Sequence, residues 1–415
     1  MSSADQSDVR HRTRRMSGRD PHESHRAASP LELLFDLAFV VAFGTAANEL
    51  AHAVAHDHVA AGIVAFCFAT FAICWAWINF TWFASAYDTD DWVYRLTTML
   101  QMVGVLVLAL GLAPMFESVH SGDTLDNDVV VWGYVVMRVA MVFQWWRASR
   151  HDPSRSGVCR TYITSILIAQ VMWCVLALVD LPVGLTFALM VIPFLVELGG
   201  PAYAETRQGG TPWHAHHVAE RYSLMVIITL GEGMIGTMVT LTALAEDGLT
   251  WDVGLLALAG TALTFGIWWS YFAVPAGNIL HAHRERSFGF GYGHMLVFGA
   301  IAAIGAGLHV AGYYLAHETH LGTVGAVLAV VIPVAVFALT FYAGYSMLTR
   351  TFHAFHVALL AISAVFLIAP VLMAAGDVDL TWCLVVLSLT PWVTVVGYEL
   401  FGYRHNEEVL AGLEG

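Results

Sequence analysis

Apolar residues run through this chain in stretches of twenty or so, separated by short polar connections. They fall at approximately 31–54, 60–84, 94–116, 129–148, 159–179, 183–199, 217–243, 252–275, 289–316, 322–348, 354–375 and 380–402. A run of roughly 20 apolar residues, at about 1.5 Å of rise each, crosses the ~30 Å hydrocarbon core of a bilayer. Lipid offers no partner to a backbone amide, so such a segment closes its hydrogen bonds within itself as a helix. The alternation of a barrel strand, in units of about ten residues, is absent. The pattern predicts an all-α, polytopic integral membrane protein of about 12 transmembrane helices. No separate signal-peptide core precedes the first of them, so that helix is expected to stay in the mature protein.

Composition agrees with lipid as the solvent. Of 415 residues, 58% are hydrophobic and 12% charged, against a charged fraction of about a quarter in soluble domains. The chain has no lysine, and all 18 of its basic residues are arginine. Arg10, Arg12, Arg14, Arg15, Arg19 and Arg26 precede the first span, and Arg95, Arg147, Arg150, Arg155, Arg160, Arg207, Arg221, Arg284, Arg286, Arg350 and Arg404 cluster at alternate connections. The other connections carry Asp, Glu and His but no Arg. The positive-inside rule then puts both termini on the cytoplasmic side of a cell membrane. The net charge of −14 argues against a nucleic-acid partner. Residues 1–29, rich in Arg, His and Ser, read as a disordered cytoplasmic tail.

The two halves of the chain look alike. Trp75, Trp77 and Phe80 in the second span match Trp268, Trp269 and Phe272 in the eighth. Pro193 with Glu197-Leu198-Gly199 matches Pro391 with Glu399-Leu400. Six spans per half is an even number, so the halves, 30–208 and 209–415, are expected to insert with the same orientation as parallel repeats, with a pathway at their interface.

Ionisable residues inside the spans are the best guide to mechanism, because a charge at the bilayer centre costs at least ~2.5–3.5 kcal/mol. Glu32 and Asp36 lie four apart on one face of the first span and suit a proton or cation relay. The plainer reading makes Glu32 a helix cap and gives Asp36 to Arg26 or Arg95. Glu232 lies about fourteen residues into the seventh span, or roughly 21 Å of rise. Arg138 sits near the middle of the fourth, and the two are expected to pair. Glu220 and His309 complete the candidate ion or proton pathway.

The first span opens with Pro30-Leu31-Glu32-Leu33-Leu34-Phe35-Asp36-Leu37-Ala38-Phe39-Val40, which resembles the E-L-F-F-D-L-V-F-V opening of the low temperature requirement protein A family. The seventh carries Glu220-Arg221-Tyr222-Ser223-Leu224-Met225-Val226-Ile227-Ile228-Thr229-Leu230-Gly231-Glu232, similar to that family's E-R-F-G-L-F-V-I-I-V-L-G-E segment. Leu34 and Tyr222 stand where the family usually has Phe, and Gly233 where it often has Ser. The resemblance implies a bacterial multi-pass membrane protein linked to growth in the cold, and it brings no firm biochemical activity with it.

Other signals narrow little. His214, His216 and His217, with His281 and His283, read as solvated loop residues; His294 and His309 lack the opposing histidines that haem ligation needs. Trp75, Trp77, Trp82, Trp92, Trp145, Trp146, Trp268 and Trp269 read mostly as interfacial anchors. Pro114, Pro193, Pro275, Pro333, Pro370 and Pro391 read as kinks. No nucleotide, hydrolase or metalloprotease motif is present, so no cofactor is expected. The expected function is movement of a proton, ion or small solute across the lipid bilayer by way of the carboxylates. A six-plus-six-helix ion channel, or a membrane-embedded enzyme or redox protein acting on lipid or quinone, stays open as an alternative.

Overall fold

Each apolar run closes its own backbone hydrogen bonds. A computed structural model of the chain describes residues 13–23, 26–207, 209–245, 250–350 and 354–403. It contains twelve helices long and apolar enough to cross a membrane. They are α1 (Pro30–Ala55), α2 (Val59–Tyr87), α3 (Trp92–Ser121), α4 (Asp128–His151), α5 (Pro153–Leu178) and α6 (Val183–Thr206), then α7 (Ala215–Ala243), α8 (Trp251–Ala282), α9 (Arg284–Leu315), α10 (Thr323–Thr349), α11 (Ala354–Ala375) and α12 (Leu380–Gly402). Among the described residues the only β pairing is an isolated bridge between Thr124 and Pro182. The spans read from hydropathy agree within a few residues except at the start of α5 and the ends of α6 and α8. At α5 and α6 the helical bonding continues through polar turns, and at α8 a further short helix follows a break at Pro275, because hydropathy marks the hydrocarbon and not the end of the helical hydrogen bonding.

Prolines divide into two groups. Pro193, Pro333 and Pro370 sit inside continuous helices. At Pro114 the chain breaks instead: α3 is two helices, Trp92–Leu110 and Leu112–Ser121, meeting at Gly111. Pro114 has no N–H to give the Leu110 carbonyl, and its ring crowds that turn. Pro275 and Pro391 lie at similar breaks in α8 and α12.

Three helices stop in the same way. Asp57, His317 and Asp377 follow α1, α9 and α11 with φ of 66°, 59° and 60°. In each case the next residue donates five positions back: His58 to Ala53, Glu318 to Tyr313 and Val378 to Met373. This left-handed cap satisfies carbonyls that would otherwise be open at the helix end. Asp tolerates that conformation better than most residues.

The described residues form two compact units. One takes the chain up to Ala42 together with Ala72–Val218; the other takes Phe43–Phe71 and the chain from Ala219 onward. In the first, α3 packs on α4, α4 on α5 and α5 on α6; in the second, α9 packs on α10, α10 on α11, and α12 on both α8 and α11.

Part of the segment read as a disordered tail is instead a strap across one end of the first unit. Residues 1–12 and 24–25, with Arg10 and Arg12, lie outside the described residues, as does Arg404. Met16 is wholly buried. The Arg19 amide donates to Ala86 O at 3.0 Å, and Arg26 Nη2 donates to Ala84 O at 2.8 Å. Both acceptors are last-turn carbonyls of α2, that of Ala84 also accepting from the Asp88 amide at 3.1 Å. The Arg14 amide donates to Asp91 at 2.8 Å, and the Met16 amide to His151 Nδ1 at 3.1 Å. Composition flagged disorder because the strap's partners are helix ends that only the fold gathers.

Small residues set a close crossing in this unit, α3 on α4. A Cβ on Gly104 would lie 2.7 Å from Gly133 O and 3.0 Å from Met137 N, and one on Gly133 would collide with the Leu108 backbone. Gly133→Val is therefore expected to destabilise the protein by about 1–3 kcal/mol, measured as a lowered midpoint of unfolding in detergent. An unchanged midpoint would show that the helices can part without cost.

Candidate functional site

At the start of α1, Ser29 and Glu32 form a reciprocal cap. The Ser29 amide donates to Glu32 Oε2 at 2.7 Å, and the Glu32 amide to Ser29 Oγ at 3.3 Å, the two halves of a capping box. Glu32 is fully buried, and its Oε1 lies 3.2 Å from His217 Nε2. Asp36, also fully buried, accepts a hydrogen bond from Trp77 Nε1 at 2.7 Å. The two carboxylates share a face, as their spacing requires. The expected arginine partners lie elsewhere: Arg26 reaches Ala84 O, Glu23 and Asp88, and Arg95 forms a fork with Asp90.

The histidines at the start of α7 are not a solvated loop. His214 and His217 are buried. The His214 amide donates to Ser85 Oγ at 2.9 Å, its Nε2 lies 2.9 Å from Glu23 O, and its Nδ1 accepts from the His217 amide at 3.2 Å. His216 is exposed.

Two tryptophans read as interfacial anchors are instead core donors. Trp75 and Trp77 stand two apart on α2, on roughly opposite faces of the helix. Trp77 serves Asp36 on α1, while Trp75 Nε1 donates to Glu197 Oε2 on α6 at 2.7 Å. Glu197 also receives Tyr134 OH at 2.9 Å and Arg138 Nη2 at 2.9 Å. Arg138 further donates to the Tyr134 hydroxyl, and its guanidinium lies 4.6 Å from the centre of that ring. Arg138 is 1% and Glu197 3% exposed, so the pair is sealed from lipid and water alike. The expected partnership of Arg138 with Glu232 is thus corrected: the arginine is neutralised by Glu197. Sequence reading used Glu197 only as a marker of the repeat, although a lone carboxylate in an apolar run is itself the signal of a buried partner.

Glu232 stands apart from this pattern. It is 2% exposed, and among the described residues no cation and no hydrogen-bond donor meets its carboxyl group. Its surroundings are glycine. A Cβ on Gly44 of α1 would lie 3.0 Å from Glu232 Oε1, and one on Gly305 of α9 would lie 2.7 Å from the Glu232 carbonyl. One turn further, a Cβ on Gly236 would meet His309 Cδ2 at 3.1 Å. Thr240 Oγ1 then donates to Leu308 O at 2.7 Å. Gly236 on α7 and Gly305 and Gly312 on α9 let the two helices approach closely, and they set the carboxyl against backbone. His309 is buried, and its Nε2 has no partner among the described residues. Gly233, where a serine was the family expectation, faces Thr264 of α8, whose Oγ1 would lie 2.9 Å from an added Cβ. Glu220 is half-buried near the start of α7, without ion pair or hydrogen bond among the described residues.

At the strap end, outside the spans, two carboxyls diverge. Burial alone would raise Asp91, but Arg147, which grips both its oxygens, and the amides of Tyr94 and Arg14 outweigh it and hold it below its ordinary value. Asp88 is pushed up to about 6, by burial first and then by the charge of Glu32, with Arg26 opposing at 4.0 Å.

Twelve apolar helices, with the buried Arg138–Glu197 pair inside them, define a polytopic membrane protein. The chain belongs to the bacterial low temperature requirement A protein (LtrA) family, whose pattern it matches over residues 27–390. It is 28% identical to an uncharacterized protein of Rhizobium meliloti (strain 1021), the match covering 73% of each chain.

Removing one partner of a buried pair strands the other, so Arg138→Met is expected to cost about 3–5 kcal/mol. Arg138→Met with Glu197→Gln, which leaves an acceptor for Trp75 and Tyr134, should recover much of that loss in detergent unfolding. A double variant as unstable as the single one would show that charge is not what the pair contributes. The pH response of Asp88 has a definite sign. Its folded value of about 6 lies above its ordinary 3.8, so stability rises as pH falls from about 6 toward 4, by up to roughly 3 kcal/mol at 1.36 per unit. Asp91 acts oppositely, stabilising at neutral pH and losing its contribution as pH falls through its lowered folded value. Asp88→Asn should raise the unfolding midpoint at pH 7 and remove the gain between pH 6 and 4.

Proposed function

We propose that this protein moves protons, or another small cation, across the membrane, with the Glu232 carboxyl as the site that takes up and releases the ion. One observation carries the reading: a carboxyl 2% exposed, inside a spanning helix, with neither cation nor donor beside it among the described residues. A bare carboxylate in such a place is too costly to persist, so its charge is neutralised by whatever ion occupies it. Glu197, Asp36 and Asp91 show the contrasting solution, in which arginine, indole or amide donors hold the charge permanently.

His309, one turn away on the facing helix, is the second exchangeable group of this pathway, and Glu32 with Asp36 serves ion entry at the arginine-bearing end. That end faces the cytoplasm of a bacterial cell, as the distribution of arginine supports. The halves 30–208 and 209–415 are parallel repeats. In each, an indole of the second helix donates to a carboxylate of the sixth, Trp75 to Glu197 and Trp269 to Glu399 at 3.1 Å.

The test is reconstitution into liposomes loaded with a pH-sensitive dye, under imposed proton and cation gradients. Wild type should dissipate the gradient. Glu232→Gln should fall to the level of empty liposomes while inserting normally, and His309→Leu should slow flux by about a hundredfold, the lower end of the range by which a positioned proton-transfer group accelerates a step. Wild-type flux through Glu232→Gln would remove Glu232 from the mechanism, and silence of the wild type under every gradient would end the transport reading.

A further inference from the structure

The second unit contains a cavity of about 470 Å³ between α8, α9 and α10, with Ser223 of α7 at its back, within the size range of ligand sites. Its rim includes Leu296 and Leu339, 60% and 56% exposed, so in a bilayer it opens sideways into lipid. Glycines make the space: at Gly293 and Gly344 an added Cβ would meet nothing within 4 Å. From Gly289 to Val297 the slot follows α9 for eight residues, about 12 Å of rise. That is less than half the ~30 Å hydrocarbon core, so its occupant is a chain of one leaflet.

Two polar side chains of the wall, Tyr271 and His294, are turned toward each other. His294 Nδ1 lies 2.7 Å from Phe290 O and must donate to it, leaving Nε2 to accept from Tyr271 OH at 2.9 Å. What Tyr271 and His294 present to the slot is therefore mainly ring carbon. A ligand whose polar head sits within the slot would find these donors and acceptors already engaged, whereas a hydrocarbon chain would not need them.

Charge lies at one end. Met347, Leu348 and Gly289 line the part of the slot next to the start of α9 and the end of α10, where Arg284, Arg286 and Arg350 stand. Arg286 donates to Leu348 O and lies within electrostatic reach of Arg350. Arg350 is exposed and ends α10 in the left-handed conformation, φ 54°. The opposing acid is Glu285, 3.5 Å from both Arg286 Nε and His283 Nδ1. Among the described residues, Arg286 and Arg350 stand against Glu285 at the mouth of a lipid-open slot and match a phosphate head with its chain alongside; basic pockets at helix ends are how membrane proteins select anionic lipid.

We infer that this slot holds one acyl chain of an anionic glycerophospholipid, with its phosphate at Arg286 and Arg350. The test is native mass spectrometry of the whole protein, equilibrated with equal amounts of dioleoyl phosphatidylglycerol and dioleoyl phosphatidylethanolamine. Wild type should retain the anionic lipid in preference, by about fivefold for each arginine engaged. Gly293→Leu with Gly344→Leu, which fills the slot, should lower total bound lipid about tenfold, with circular dichroism confirming retained helix. Arg350→Asn, chosen because Asn tolerates a left-handed backbone, should leave total binding unchanged and reduce the preference about fivefold. Equal retention of both lipids by wild type would overturn the inference, as would lipid binding unaffected in the folded, slot-filled variant. Displacement of the bound lipid by an equimolar short-chain ubiquinone would also overturn it, assigning the slot to a neutral ring instead.

Discussion

No charge can be left bare in hydrocarbon, and most of this structure answers that constraint. Glu197 is met by an arginine, an indole and a phenol; Asp36 by an indole; Asp91, at a helix start, by the two-pronged grip of Arg147 and by amides. Each solution ties one helix to another, so neutralising a charge also fixes a helix-to-helix contact. Dry helix pairs gain no hydrophobic driving force from lipid, and such polar ties supply contacts whose loss would be costly. The two indoles of α2 show how economical the arrangement is, because a spacing of two residues turns them to α1 and α6 from a single helix.

Against that background the state of Glu232 is informative. Among the described residues three donors meet Glu197 and none meets Glu232, yet the second carboxyl is buried as deeply as the first. Glycine on both sides removes the side chains that would have offered a donor, and brings backbone up to the carboxyl instead. Close packing alone would be served by any small apolar residue at position 232. The acid there is unexplained by stability, and that asymmetry is what points to an exchangeable ion.

The spans were legible from sequence because hydropathy is a local property: twenty apolar residues mean a crossing whatever lies beside them. Partners were not legible, because they depend on how each helix is rotated. Arg138 and Glu232 each sit deep in an apolar run, and depth alone made them look like a pair; rotation gives Arg138 to Glu197. Trp75 and Trp77 lie well inside α2, and only the neighbouring carboxylates reveal them as donors. The strap from residue 13 was hidden for a related reason. Its acceptors, the last carbonyls of α2 and the side chain of Asp91, are unremarkable in sequence and become a binding surface only when the helix ends converge. Glu32 was legible in part: Ser29 three residues earlier carries the capping-box signature, while the histidine at 217 that completes its environment is far along the chain.

The contacts of α7 constrain how Glu232 can work. Its backbone is fixed against Gly305, and one turn on it is backed by Gly236 against α9 and by the Thr240 bond to Leu308. Sliding α7 along α9 by a turn would drive the Glu232 and Thr240 side chains into backbone and break that hydrogen bond, since well-packed interfaces resist continuous deformation. The movable parts are the carboxyl itself and the neighbour that faces it, the glycine at position 44, which has no side chain to obstruct a rotation. A fixed backbone with a free carboxyl end suits an ion the size of a proton or a bare cation better than a bulky solute, for which the glycine crossing would have to open. The same packing separates this site chemically from the lipid-open slot near the start of α9. One is lined by backbone and glycine, with a single acid; the other by hydrocarbon, with its polar atoms already paired. A ligand suited to either has no reason to enter the other.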